Sequence, residues 1–296
     1  MKRLPDFIVI GAMKSATSTL HEQLAEHPGF FMTREKEPNF FSNDENYANG
    51  LSWYQSFFDG ARATDLCGES STHYTKLPTY PDTVQRMKAV LPQVKLIYMM
   101  RHPVDRLVSH YLHEQFEWRM EMPIDQAVEH YPELVAYGKY SMQLEPFLDA
   151  YGPENILLIF FERFVGQGAD ELARVYQFLG RQNQPYWKPT LETSNVSSQR
   201  MRESAIRDAI INAPVLRTIR RRFIPKAWRE RVKQFWQIKD RPKLSHVTLE
   251  RLEAIFDEDL LRLGRWLNLE LSCSRFDEVA REHVPTWSRT HEPLVH

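Results

Sequence analysis

Gly11, Lys14, Ser15, Thr17, Ser18 and Thr19 fall in one short stretch, directly after the apolar run Phe7–Ile10. A glycine permits a tight turn, and the first N–H groups of a helix that follows it have no internal acceptors. Lys14 adds a full positive charge and the hydroxyls add donors, so Phe7–Leu20 has the chemistry of a phosphate cradle. Its order differs from the nucleoside-triphosphate loop G-x-x-x-x-G-K-[ST], whose lysine follows a second glycine. Here Lys14 precedes the hydroxyl run, and no second glycine appears.

A second set begins at Arg101, which ends the run V-K-L-I-Y-M-M, and continues to Ser109, two turns into a helix expected from Pro103. A fixed guanidinium with a hydroxyl on the adjoining helix can grip a second phosphate. The alternative is that Arg101 pairs with Asp105 and Ser109 is an ordinary helix residue. A magnesium-dependent nucleotide enzyme places an aspartate at such a strand end to hold its metal. Arginine there points to direct anion contact and to no metal. His73 and His102 are candidate general bases, although histidines also serve as packing residues. Glu69 reads as a strand-end carboxylate that orients an acceptor, pairs with Lys14 or caps a helix.

These residues need a frame. Short apolar runs at Phe7–Ile10, Val94–Met100 and Ile156–Phe161, with a weaker one at Asp65–Glu69, alternate with helix-like stretches. The pattern predicts an α/β fold, a central and mainly parallel sheet flanked by helices. Helices are expected at Thr17–Glu26, Pro81–Val90, Pro103–Phe116, Ser141–Ala150, Asp170–Leu179 and Val247–Leu267. Pro103 suits the first position of its helix and Asp105 complements the helix dipole. Ligands of such sheets bind beyond the carboxyl ends of the strands, so the chemistry should gather just after Ile10, Glu69 and Met100.

One domain over residues 1–296 is expected, with a polar loop at 189–199 and a helical, basic segment around 197–240. The run Arg217–Lys233 holds eight Lys and Arg against Glu230 alone. It reads as a solvated helix face or as a contact for an anionic glycan, lipid headgroups or a membrane surface. Hydrophobic residues at 42% and charged residues at 26% describe an ordinary globular chain, and a net charge of −1 excludes nucleic acid as a partner drawn by charge. Cys67 and Cys273 are too few and too distant for a disulfide framework or a zinc site. The first strand starts so near Met1 that no signal peptide fits, and no apolar run nears the ~20 residues of a membrane span. A cytoplasmic setting is expected, with peripheral membrane contact open.

Together the two anion sets resemble the sulfotransferases that use 3′-phosphoadenosine 5′-phosphosulfate (PAPS) and release 3′-phosphoadenosine 5′-phosphate (PAP). The family loop G-x-x-K-[ST]-[GA]-T-[ST]-[ST]-L, which holds the phosphosulfate, matches Gly11, Lys14, Ser15, Ala16, Thr17, Ser18, Thr19 and Leu20. Its R-[DH]-P-x-x-R-x-x-S stretch, which holds the 3′-phosphate, matches Arg101, His102, Pro103, Arg106 and Ser109. The fold implied is P-loop-like. Lys36-Glu37-Pro38-Asn39-Phe40-Phe41 resembles the K-E-x-x-F-F of the glycan, heparan sulfate-type branch, which implies Glu37 as the catalytic base. Gly50–Tyr54 and Gly68–Tyr74 match further landmarks of that branch, and Lys239-Asp240-Arg241-Pro242 is similar to a basic loop over the cofactor, implying Lys239 and Arg241 as cofactor contacts. Two positions depart from the branch: Asn39 stands where some members carry histidine, and Ser70 where some carry lysine.

The resemblance implies sulfuryl transfer to an acceptor hydroxyl of a carbohydrate, glycolipid or small metabolite. Lys14 would stabilise the bridging oxygen of the leaving phosphate with Thr17 and the helix amides, and Glu37, or else His73, would take the acceptor proton. A carboxylate beside Lys36 is equally a surface ion pair on residue type alone. Two other classes compete: a P-loop kinase-like enzyme, and a non-catalytic binder of adenosine phosphates or polyanions.

Overall fold

The computed structural model describes residues 3–116, 120–182, 185–189 and 242–288. The expected basic segment around 197–240, Lys239 and Arg241 lie outside these residues.

Five strands form one parallel sheet: β1 (Phe7–Gly11), β2 (Phe30–Met32), β3 (Leu66–Ser70), β4 (Lys95–Met100) and β5 (Ile156–Phe160), in the order β2-β3-β1-β4-β5. β1 is central and buried on both faces, which is why it reads as an unbroken apolar run rather than an alternation. Its side chains nevertheless part by turns. Ile8 and Ile10 join Leu96, Tyr98, Met100, Leu158 and Phe160 in one core. Phe7 and Val9 join Ile97, Met99 and Ile159 in the other. Phe7 sits opposite Gly68 of β3, and a Cβ on Gly68 would come 2.3 Å from the Phe7 ring. Glycine is what lets these strands pair there.

The second core is covered by α1 (Thr17–Ala25), through Leu20 and Leu24, and by α10 (Gly168–Phe178), through Leu172 and Val175. On the other face lie α4 (Thr83–Val90), α5 (Pro103–Phe116), α8 (Tyr140–Tyr151) and a long helix, α11 (His246–Leu267). Between them run the short helices α2 (Asp44–Ala48), α3 (Leu51–Ser56), α6 (Ile124–His130), α7 (Glu133–Ala136) and α9 (Phe161–Gly166), and α12 (Phe276–Glu282) closes the fold.

The amphipathic stripe expected at Val247–Leu267 is α11, capped by Ser245 and buried through Leu252, Phe256, Leu260, Leu263 and Leu267. One polar residue interrupts that stripe. Asp259 reaches the start of α8, accepting from Ser141 N at 2.9 Å, Ser141 Oγ at 2.6 Å and Met142 N at 3.1 Å. A carboxylate there meets orphan N–H groups at the positive end of the α8 dipole.

Candidate active site

Gly11 ends β1 where another residue could not pass. A Cβ there would stand 2.0 Å from Thr75 Oγ1 and 2.9 Å from the Tyr98 ring. Thr75 is itself held, donating to Ile10 O at 2.7 Å. The loop then turns through two left-handed residues, Lys14 at φ 69° and Ala16 at φ 64°, a conformation uncommon outside glycine and concentrated at functional sites. Ala16 stands at the N-cap of α1 and no side chain caps that helix. The opening amides of α1 are therefore left for a ligand. Ser15 Oγ is buried without a hydrogen-bond partner. An open helix start and a buried, unanswered hydroxyl fit a phosphate, and the loop residues Ser15, Ala16, Thr17, Ser18 and Thr19 are those that line the start of α1.

The β4–α5 corner comes to the same place. Arg101 Nη1 donates to Lys14 O at 3.5 Å, and the guanidinium lies 4.6 Å over the Phe161 ring. Asp105 is 3.8 Å from Nη2, which is the ion pair named as the alternative reading of Arg101. Arg101 Nε is buried with no acceptor. The backbone of Arg101 is clamped by Tyr140 at the head of α8, whose hydroxyl accepts from Arg101 N at 3.2 Å and donates to Arg101 O. Glu162, at the start of α9, accepts from His102 N at 3.0 Å, and burial pushes its pKa up to about 7. Ser109 is nearly buried farther along α5. Arg106, part of the same motif, is not exposed at all and donates to Leu134 O.

Opposite the cradle, the loop after β2 carries Glu37 at φ 62° and Asn39 at φ 50°, both left-handed. Its backbone is fixed to β3 by Glu37 N donating to Ser70 O at 2.9 Å. Thr72 Oγ1 lies 3.0 and 3.2 Å from the two Glu37 carboxylate oxygens. Lys36 Nζ bridges the halves of the site, 3.3 Å from Glu37 Oε1 and 3.5 Å from Thr17 Oγ1. Burial alone would raise the Glu37 pKa, but Lys36, Lys76, His73 and the Thr72 hydroxyl hold it below the ordinary carboxylate value. Glu37 is thus an anion at neutral pH, beside the phosphate cradle.

Several expectations change. Glu69 is fully buried, away from the surface where an acceptor would approach. Its carboxyl receives Tyr54 OH at 2.7 Å, Tyr74 OH at 2.9 Å and Ser71 Oγ at 2.6 Å, and burial lifts its pKa to about 7. His102 turns away from Glu37: its Nε2 is 2.9 Å from Cys273 O and its ring meets Phe276 edge-on. His73 stays near the site, stacked on Tyr80 at 5.0 Å, and acts electrostatically on Glu37. Lys36 forms the ion pair with Glu37 that its neighbouring position suggested, whereas Thr72, Tyr140 and Glu162 were not singled out from the sequence. Tyr140 and Glu162 reach the site only through folding. No cluster of metal-ligating side chains occurs among the described residues, and no helix there is long and apolar enough to cross a membrane.

A parallel sheet with two such turns side by side at the carboxyl ends of its strands defines an α/β protein of the P-loop-like class. The model of the sulfotransferase domain matches residues 4–211, and the chain belongs to that family. Mouse heparan sulfate glucosamine 3-O-sulfotransferase 3B1 is 30% identical over 190 residues, covering 60% of this chain and 47% of the relative. The membrane-associated sulfotransferase kil1 of Dictyostelium discoideum is 37% identical over 118 residues, 39% of this chain and 24% of that protein. The chain thus spans less than half the length of these curated relatives. Among solved structures, a sulfotransferase from Alicyclobacillus acidocaldarius shares the fold with a TM-score of 0.65 at 24% identity, covering 91% of this chain and 98% of that one. A mouse sulfotransferase complexed with PAP gives a TM-score of 0.51 at 16% identity, over 87% of this chain and 84% of that one.

Proposed function

We propose that the protein is a PAPS-dependent sulfotransferase acting on an acceptor hydroxyl, with Glu37 as general base. The observation that carries the reading is the meeting of three parts beyond the carboxyl ends of the strands. Arg101 touches the Lys14 loop, and Lys36 joins that loop to Glu37. Two phosphate positions in one ligand match the two turns, and PAP is the ligand of one solved structure that shares the fold.

PAPS, when bound, supplies a sulfuryl group on a phosphate leaving group. Lys14, Ser15, Ala16, Thr17, Ser18 and Thr19 would hold the 5′ end, and Arg101 with Ser109 the 3′-phosphate. Lys14, Thr17 and the α1 amides are preorganised donors for the negative charge that grows on the leaving oxygen. Glu37, kept ionised by its cationic neighbours, accepts the acceptor's proton as the hydroxyl attacks. His73, one residue beyond Thr72, lies near that carboxylate and is the second choice of base. Lys239 and Arg241 are retained as cofactor contacts on the family resemblance alone. A carbohydrate acceptor is favoured by the heparan sulfate relatives, and a cytoplasmic setting by the two free, buried cysteines.

Labelled sulfate transfer from PAPS to a panel of glycans, glycolipids and small alcohols tests the reading. Glu37→Gln should cost about 10²–10⁴ in kcat, the usual worth of a general base, and leave PAP affinity within about twofold. Undiminished transfer by that variant would remove Glu37 as the base. A larger melting shift with ATP and magnesium than with PAP would favour the kinase-like reading instead.

A further inference from the structure

His21 lies on α1 one turn beyond Thr17, on the same face of the helix. It is nearly buried, and both ring nitrogens are engaged: Nε2 is 3.2 Å from Thr33 O and Nδ1 is 2.9 Å from Ser70 Oγ. A carbonyl oxygen can only accept, so Nε2 carries the proton and the Ser70 hydroxyl donates to Nδ1. Burial and the nearby Lys36 charge hold the pKa of the ring down to about 4, so this neutral tautomer is the form present at neutral pH. With both nitrogens occupied inside the protein, His21 is in no position to take a proton from a substrate. What it does is join segments.

Its two partners bracket the stretch of chain that carries Glu37. Thr33 begins that stretch, with its N–H donating to Gly68 O at 3.1 Å. Ser70 receives its far end, accepting at its carbonyl from Glu37 N at 2.9 Å. Arg34 and Glu35, in between, are exposed. The stretch is thus a short arch over the end of β3, and the His21 ring bonds a group at each end of it. Lys36 Nζ adds a third tie, to Thr17 Oγ1 one turn before His21. Glu37 itself is left-handed at φ 62°, a conformation that a glutamate keeps only where its surroundings over-determine it. α1 has its own anchors, Leu20 and Leu24, in the core beneath the sheet.

We propose that His21 is a positioning residue for the reaction: by bonding Thr33 and Ser70 from the helix whose first amides face the phosphate, it holds the Glu37 carboxylate in a fixed place relative to that cradle. The inference rests on the reading of Glu37 as general base.

Sulfate-transfer kinetics with PAPS, using the acceptor most active in the panel above, and calorimetric titration with PAP test it. The proteins compared are wild type, His21→Phe and Ser70→Ala, each also combined with Glu37→Gln. His21→Phe should lower kcat about 10- to 100-fold, the order that a misplacement of ~1 Å costs, and leave PAP affinity within about twofold because α1 keeps its anchors. Ser70→Ala, which severs one of the two links, should cost less, about threefold to tenfold. In the Glu37→Gln background neither change should lower kcat further, since the group through which His21 acts is already gone. A histidine that merely supports the fold would cost the same in both backgrounds. That equal cost, a wild-type kcat in His21→Phe, or a PAP affinity that falls in step with kcat, overturns the proposal. Should His21→Phe not fold, Ser70→Ala decides by the same comparison: a loss confined to the Glu37 background supports the tie, and a loss in both or in neither overturns it. Undiminished transfer by Glu37→Gln alone would instead sink the base reading, and this proposal with it.

Discussion

Lys36→Met removes the cation that bridges the two halves of the site. Lys36 Nζ stands 3.3 Å from Glu37 Oε1, and the two side chains are 27% and 28% exposed. Coulomb's law for unit charges at that distance gives ~1.3 kcal/mol in bulk water and ~5 kcal/mol at an effective dielectric of about 20. A partly exposed pair lies toward the lower figure, and Lys76, His73 and Thr72 remain to hold Glu37 down. A rise of about one pKa unit, or ~1.4 kcal/mol, is the expected change. Because the Glu37 pKa is depressed in the folded protein, the base is ready above that pKa and lost as pH falls through it. The acid limb of the kcat/KM profile should therefore move up by about one unit in Lys36→Met. Glu37 also stabilises the fold above its unfolded pKa, and that contribution should shrink in the variant and vanish at lower pH in both proteins. The assay is sulfate transfer across the pH range, with PAP affinity measured in parallel. An acid limb that stays in place while kcat falls would refute the reasoning and assign Lys36 to the donor side, through Thr17.

Gly11→Ala drives a methyl into Thr75, so the fold should lose about 1–3 kcal/mol in urea unfolding and PAP affinity should fall with the displaced loop. A variant with unchanged stability would show that Thr75 yields freely. Glu69→Gln tests the buried carboxyl: with a pKa of about 7 it is protonated more readily when folded than unfolded. Its contribution to stability is full below the unfolded carboxylate range and is lost as pH rises through about 7. Unfolding measured against pH should lose a decline of up to ~3 kcal/mol over that window in Glu69→Gln, and identical slopes in the two proteins would contradict the assignment.

The elements that carry the two anion turns were legible because local signals agreed. β1 is an apolar run ended by the single glycine that fits, and α5 starts at Pro103 with Asp105 in its first turn, over the expected span. β2 escaped notice because Phe30–Met32 is three residues long and has no period to read. The motif grouped Arg106 with Arg101, but burial separates them, and burial follows from packing against α7 and Gly138 rather than from spacing. Glu69 and His102 misled for the same reason. A carboxylate at a strand end and an imidazole after an arginine look available until Tyr54, Tyr74 and Cys273 arrive from distant parts of the chain. Left-handed Glu37 is likewise a product of the loop's ties to Ser70 and Thr72, which no local preference of glutamate encodes.

The cap that Asp259 places on α8 joins residues 118 apart in the chain, and Tyr140, which clamps the Arg101 backbone, stands in the first turn of the helix so capped. During synthesis the first 250 residues can pair every strand of the sheet and still lack that carboxylate. The corner that presents Arg101 is therefore among the last parts of the molecule to set, after a long-range closure of the kind that slows folding. In the finished protein the same arrangement makes the docking of α11 and the order of the Arg101 corner one cooperative unit. A ligand held by that corner thus resists the opening of a helix it does not touch.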